Sequence, residues 1–202
     1  MGNTEMTALL FSGGLDSTAL AAWMRPDVLL TVNYGQVTAS SEMKAAKVIA
    51  EQLNISQFTI DINLSQIGSG SLASSLPSVL VEHNDWWPFR NQILITIGAA
   101  WSIKNNVSKL LIGSVKSDSC FSDGKAPFIH LLRDLLNLQE GSIYLEAPAL
   151  EMTTSELIIK SGLDFNLLPL CFSCNRSKLS CGTCRGCRKH QQVTHELGLN
   201  SY

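Results

Sequence analysis

An α/β fold built on an open parallel sheet, flanked by helices and followed by a small cysteine-rich lobe, is the class this sequence predicts. Three observations lead there. Short apolar runs alternate with amphipathic stretches from Thr7 to Lys160. A Gly-rich turn, Ser12-Gly13-Gly14-Leu15-Asp16-Ser17, follows the first apolar run. Five of the six cysteines fall between Cys171 and Cys187. Strands that alternate with helices imply parallel neighbours joined by right-handed crossovers.

The elements follow in order. Thr7 to Phe11 is a short apolar strand, and Ser17 to Met24 a helix ended by Arg25-Pro26. Val28 to Val32 is a second, β-branched strand. Ser40 to Leu53 places apolar residues at helical spacing, and Gln57 to Ile62 alternates as a third strand. The serine-rich stretch from Ile62 to Val81 reads as a mobile loop rather than a membrane span. Phe89 to Lys104 is a buried helix, Leu110 to Gly113 a fourth strand, and Phe128 to Leu138 a helix. Ile143 to Glu146 is a fifth strand, and a helix lies around Thr154 to Lys160. The expected division is an α/β domain over residues 1–168 and a lobe with a C-terminal helix over 169–202.

Bulk properties set limits. A chain of 202 residues suits one domain with a small appendage, and 45% hydrophobic with 16% charged residues is a globular balance. A net charge of −2 excludes a global pull toward nucleic acid or anionic membrane. No charged segment followed by an apolar one opens the chain, so a cytoplasmic protein without a membrane partner is expected.

The turn after the first strand is the strongest chemical signal. In an open parallel sheet, ligands bind beyond the carboxyl ends of the strands. Gly13 and Gly14 let backbone approach a ligand closely. The amides that open the next helix are unpaired and partly positive. Ser12, Ser17 and Thr18 add hydroxyls, so the loop suits phosphate or pyrophosphate. Asp16 would repel phosphate unless a cation intervenes; it either caps the helix or helps hold Mg2+. The loop is neither a Walker sequence nor a dinucleotide fingerprint.

The cysteines point to metal. Cys174, Cys181, Cys184 and Cys187 form C-x6-C-x2-C-x2-C, and Cys171 adds a surplus thiol. Without a secretory signal, such clustering favours metal over disulfides. Four thiolates complete a tetrahedral Zn2+, which makes the site structural. His190 and His195 read as ordinary helix residues, and Cys120 as a core cysteine. Arg176, Lys178, Arg185, Arg188 and Lys189 read as a solvated basic face of the tail.

Ser12 to Ser17 resembles the pyrophosphate loop of the N-type ATP pyrophosphatases, which cleave ATP between its α and β phosphates and adenylylate a substrate oxygen. With the four-cysteine tail, the chain resembles the 7-cyano-7-deazaguanine (preQ0) synthase, or QueC-like, family. Asn33-Tyr34-Gly35-Gln36 and Pro88-Phe89-Arg90-Asn91 resemble further family segments, and Ser117-Asp118 and Phe121-Ser122-Asp123 lie where the family places substrate-facing residues. The resemblance implies a Rossmann-like, adenine nucleotide alpha hydrolase-like fold. It implies ATP binding by Phe11, Ser12, Gly13, Gly14, Leu15, Asp16, Ser17 and Thr18. It implies substrate binding by Tyr34, Gln36, Arg90, Asn91, Asp118, Phe121 and Asp123, with Asp16, Arg90 and Asp118 catalytic. Trp86 and Trp87 join Phe121 as candidates to stack on a deazapurine. The resemblance also selects Cys174 over Cys171 as the fourth zinc ligand, and implies a homodimer.

Family members convert 7-carboxy-7-deazaguanine, ammonia and two ATP into the nitrile, through an adenylate and an amide. This sequence departs from them at several positions. Val37-Thr38 stands for Arg-His, Phe89 for a glycine, and Thr154 for a lysine; Lys116 and Lys125 are the candidate substitutes for the lost cation contacts. The departures suggest a divergent relative of the kind found in bacterial defence gene clusters. Such a relative would stop at the amide, or join the deazaguanine acid to a protein or nucleic-acid amine. A zinc-containing tRNA-modifying or nucleic-acid-binding protein is the remaining alternative.

Overall fold

A computed structural model describes residues 5–76 and 87–199 of the chain. Trp86 and the end of the serine-rich stretch at Val81 lie outside the described residues.

Five parallel strands form one sheet in the order β3-β2-β1-β4-β5. They are β1 (Met6–Leu10), β2 (Val28–Asn33), β3 (Ser56–Asp61), β4 (Val107–Ile112) and β5 (Tyr144–Glu146). Six α-helices flank them: α1 (Leu15–Met24), α2 (Ala39–Leu53), α3 (Arg90–Lys104), α4 (Ala126–Asn137), α5 (Thr154–Ser161) and α6 (Arg185–Glu196). The alternation of short apolar runs with amphipathic stretches therefore yields the Rossmann-like sheet that it predicts. No described helix is long and apolar enough to cross a membrane.

β1 is the central strand, and its composition suits burial on both faces. Ala8 and Leu9 are wholly buried, and Leu9 pairs in register with Leu29 on one side and Leu111 on the other. β4 starts three residues earlier than its apolar run suggests. Ser108 and Lys109 conceal that start, and Lys109 is held there by Glu146 of β5 at 2.9 Å. One core packs Leu9, Leu29 and Leu111 against α1, α2 and α5, and a second packs Leu110 and Leu145 against α3 and α4.

The described part of the serine-rich stretch carries two short 3-10 turns, Ser65–Ile67 and Ser71–Ala73. Leu72 is buried with Val32, Tyr34 and Trp87, and its carbonyl accepts from the Val37 amide at 2.9 Å. The segment thus closes one side of the sheet. Its apolar anchors, Leu72 with Leu64 and Ala73 beside it, are scattered among serines, which periodicity cannot register.

The cysteine segment shares the main core. Cys171 and Val193 pack in the same cluster as Leu9 and Leu157. The Phe172 amide donates to the Gly13 carbonyl at 3.0 Å, tying this segment to the Gly-rich turn.

Phe89 precedes α3 at φ +53, in the left-handed region that a side chain disfavours. Its side chain is mostly exposed, so little packing offsets that cost. Phe89→Gly is expected to leave the fold intact and to raise stability by up to about 1 kcal/mol. Urea unfolding of the two proteins checks this, and a loss of more than about 1 kcal/mol would show that the ring makes a needed contact.

Candidate active site

Where the connections leave β1 and β4 on opposite sides of the sheet, a cleft of about 320 Å³ opens. This is the switch point at which open α/β sheets bind ligands. Its floor is apolar, made by Leu10, Leu30, Val32 and Ile112 from the strand ends together with Leu94 of α3.

The Gly-rich turn forms one wall. Gly13 adopts φ +73, and a Cβ there would lie 2.6 Å from the Ala46 amide nitrogen. Only glycine lets the turn seat against α2. Ser12 Oγ accepts from the Gly14 amide at 3.3 Å and lies 3.2 Å from Ser17 Oγ. Ser17 Oγ donates to the Gly14 carbonyl at 3.2 Å. Phe11, Ser12, Gly14, Leu15, Asp16 and Ser17 line the cleft. Gly13 and Thr18 are buried behind it, and Thr18 Oγ1 accepts a 3.5 Å contact from the Cys171 thiol.

Asp16 does not cap α1. Gly14 holds the N-cap position without a side-chain bond, and the Asp16 carboxylate turns to other partners. Thr154 Oγ1 donates to Oδ1 at 2.6 Å, and Lys189 Nζ to Oδ2 at 2.8 Å. Lys189 Nζ also lies 4.0 Å from Asp118 Oδ1. The cation beside Asp16 is therefore Lys189 of α6, whereas Lys116 and Lys125 do not line the cleft. Thr154, standing where the resemblance expects lysine, contributes a hydroxyl to the same carboxylate.

Opposite stand Arg90 and its surroundings. Its guanidinium is enclosed by the Tyr34 phenol and by the acids Asp123, Asp118 and Glu42, which hold its proton against desolvation. It is not a surface arginine. Burial raises the Tyr34 phenol, with Glu42 adding to the effect and Arg90, a hydrogen-bond partner, opposing it. The Tyr34 ring meets Trp87 edge-on at 4.9 Å. Glu42 is also raised by burial, opposed by donors from Thr38 and Gln36. Gln36 Nε2 gives its bond to Glu42 at 2.9 Å, and Gln36 Oε1 accepts from the Tyr34 amide at 3.0 Å. Gln36 thus supports Tyr34 and Glu42 from behind and does not itself line the cleft. Glu42, which does line it, carries no recognisable motif and is not among the residues that the sequence marks as site candidates.

The loop after β4 supplies Asp118 and Phe121. Asp118 Oδ2 accepts from the Val115 amide at 3.1 Å. Desolvation raises its pKa, the Lys189 ammonium works against this, and Asp16 adds repulsion. Asp123 serves α3: its carboxylate accepts from the Asn91 amide at 3.2 Å, while Asn91 Nδ2 donates to the Asp123 carbonyl at 3.0 Å. Asn91 lines the cleft but Asp123 does not. Arg185 stacks on Phe121, its guanidinium 4.6 Å from the ring centre, and donates to the Ser117 carbonyl at 3.1 Å. Cys120, expected in the core, is exposed beside that guanidinium.

The sulfurs of Cys174, Cys181, Cys184 and Cys187 lie within 4.8 Å of one another. Two of the pairs, Cys181 with Cys187 and Cys174 with Cys184, are 4.0 and 3.9 Å apart. A tetrahedron of sulfurs at about 2.3 Å from zinc has edges of about 3.8 Å, so the cluster fits such an ion. Amides of Asn175 and Cys187 donate to Cys184 Sγ, each at 3.4 Å, as suits a charged thiolate. Backbone donors from Thr183 and Cys184 bring the Cys181 thiol down to about 5. Cys171 stands apart, its thiol pushed up to about 12 by burial. His190 touches Ser173 Oγ through Nδ1 at 3.1 Å and is not part of the cluster.

Sheet order and a Gly-rich turn at the switch point, above a cleft with polar walls and an apolar floor, together define a Rossmann-like, adenine nucleotide alpha hydrolase-like fold. The NMN synthetase of Francisella tularensis shares that fold, with a TM-score of 0.53 at 16% identity, over 98% of this chain and 79% of its own. The chain belongs to the family described as queuosine biosynthesis protein QueC, whose model matches residues 7–198. It is 31% identical to 7-cyano-7-deazaguanine synthase 1 of Desulfitobacterium hafniense (strain Y51), over 98% of this chain and 96% of that protein. It is 32% identical to the 7-cyano-7-deazaguanine synthase of Sulfurimonas denitrificans, over 89% of this chain and 88% of that protein. At these identities the chain is a divergent member.

Proposed function

We propose that this protein is an AMP-forming ligase that adenylylates 7-carboxy-7-deazaguanine and joins it to ammonia, giving 7-cyano-7-deazaguanine by way of the amide. The observation that carries this is the placement of Ser12 to Ser17 at the switch point of a chain that matches the QueC family along nearly its whole length. The chemistry requires activation, because a carboxylate oxygen is a poor leaving group until it departs as AMP. The loop amides and the hydroxyls of Ser12 and Ser17 receive the phosphates. Arg90, a planar fork of donors, orients the substrate carboxylate or the charge that develops on it. Tyr34, Asn91 and Phe121 enclose the deazapurine, and the apolar floor takes flat ring systems. Asp16 and Asp118 are hard oxygen donors suited to Mg2+, which neutralises phosphate charge when bound with ATP. The four cysteines hold a structural zinc.

Protein incubated with the deazaguanine acid, ATP, Mg2+ and ammonia is expected to release AMP and pyrophosphate. Absence of both, with an authentic synthase active in parallel, would reject carboxylate activation. Mass spectrometry of the product then separates nitrile from amide. A second reading has the activated acid stop at the amide or pass to a protein or nucleic-acid amine. The departures favour it: Thr38 is buried on Glu42 and Thr154 bonds Asp16, so substituted positions touch the site itself. A conjugate formed in place of free product, when an amine-bearing macromolecule is added, is its mark.

A further inference from the structure

Among the described residues that line the cleft, three are basic: Arg90, Arg185 and Lys189. Arg90 faces Tyr34, Asp123, Asp118 and Glu42, and Arg185 is taken up by Phe121 and Ser117. Lys189 alone of the three bonds a residue of the Gly-rich turn, through Asp16 at 2.8 Å. A carboxylate in a turn built for phosphate would repel its ligand, and an ammonium at this distance removes that repulsion. An ammonium carries three donors; Asp16 engages one at 2.8 Å, and Asp118 Oδ1 lies 4.0 Å away, beyond hydrogen-bond length. The side chain is a quarter exposed, so its head reaches the cleft solvent.

The position of Lys189 follows from the cysteine cluster. It lies two residues after Cys187, on the first turns of α6. Cys184 caps that helix, its sulfur accepting from the Cys187 amide at 3.4 Å. Gly186 presses the helix start against the cysteine segment, where a Cβ would lie 1.8 Å from the Ser173 carbonyl oxygen. Phe172 in turn bonds Gly13 at 3.0 Å. The circuit from Gly-rich turn to cysteine segment to α6 closes at Asp16.

We propose that Lys189 is a phosphate-contacting residue of the nucleotide site, delivered there by the cysteine knuckle. The knuckle is then part of the nucleotide site as well as a staple. The inference rests on the ATP-binding reading above, and its test separates the two. Calorimetric titration of metal-loaded protein with α,β-methylene-ATP and with adenosine is the measurement. Lys189→Met keeps the apolar stem and removes the charge. It is expected to weaken the triphosphate analogue at least about tenfold, or 1.4 kcal/mol, and adenosine by less than about twofold. Lys189→Arg is expected to stay within about threefold of the parent for both. Lys189→Gln replaces the Met variant if that one does not fold. Equal binding of the analogue by Met variant and parent overturns the proposal and leaves the functional reading standing. Equal weakening of analogue and adenosine also overturns it, since that marks a structural role. A parent protein that binds neither ligand overturns both.

Discussion

Replacing Cys184 by serine is expected to release the metal and lower stability by at least about 4 kcal/mol, the range reached when a structural metal is lost. For a chain of this size that lowers the melting temperature by roughly 8–16 °C. Cys184 is nearly inaccessible, its sulfur accepts two amide donors, and its residue caps α6. Serine offers a harder, smaller oxygen that zinc holds poorly beside three thiolates. Without the ion, four sulfurs within 4.8 Å of one another repel or oxidise, and α6 loses its anchor. The cysteine segment shares the core of Leu9, Leu29 and Leu111, whereas the core of Leu110 and Leu145 is free of it, so unfolding should become less cooperative. Metal analysis and calorimetry make the comparison, with Cys171→Ser as the control. Cys171 sits on Thr18 and Leu167, so that variant is expected to retain one metal per chain. Retained metal in Cys184→Ser would show that the cluster holds no ion through this sulfur.

Arg90→Met is expected to cut AMP formation at least about 100-fold and to destabilise the fold by about 3 kcal/mol. Both effects have one cause. The guanidinium neutralises Asp118, Asp123 and Glu42 from the centre of their group and bonds the Tyr34 phenol. Removing it leaves these half-buried acids without their central cation, with Lys189 still 4.0 Å from Asp118. Arg90→Lys separates the two roles. It restores the charge but not the two-pronged fork, so stability should recover more than activity does. Denaturant unfolding and AMP release measured on the same preparations check this. Full activity in Arg90→Met would place substrate recognition elsewhere in the cleft.

Much of the architecture is legible in the order of residues alone. Strand and helix periods report local backbone, and each expected strand and helix is found within a few residues of its place. The Gly-rich turn is legible because its residues are contiguous, and the cysteine cluster because its spacings are short. Glu42 is not legible, since one acid in an amphipathic helix resembles any solvent-facing acid. Lys189 escapes for the same reason: in a run with Arg185 and Arg188 it counts as part of a basic face. Gln36 stands in a segment that resembles the family's, and Asp123 lies where the family places substrate-facing residues, yet the structure commits one to Glu42 and the other to the start of α3.

The sequence by itself determined the class of sheet, the turn that follows its first strand, and four thiols spaced for one ion. These depend on interactions between residues close along the chain, which spacing records. Only the tertiary structure decided what Asp16 faces. Its partners Thr154 and Lys189 stand 138 and 173 residues away. Their meeting depends on where α5 and α6 pack against the sheet, and no local pattern encodes a pairing across that distance.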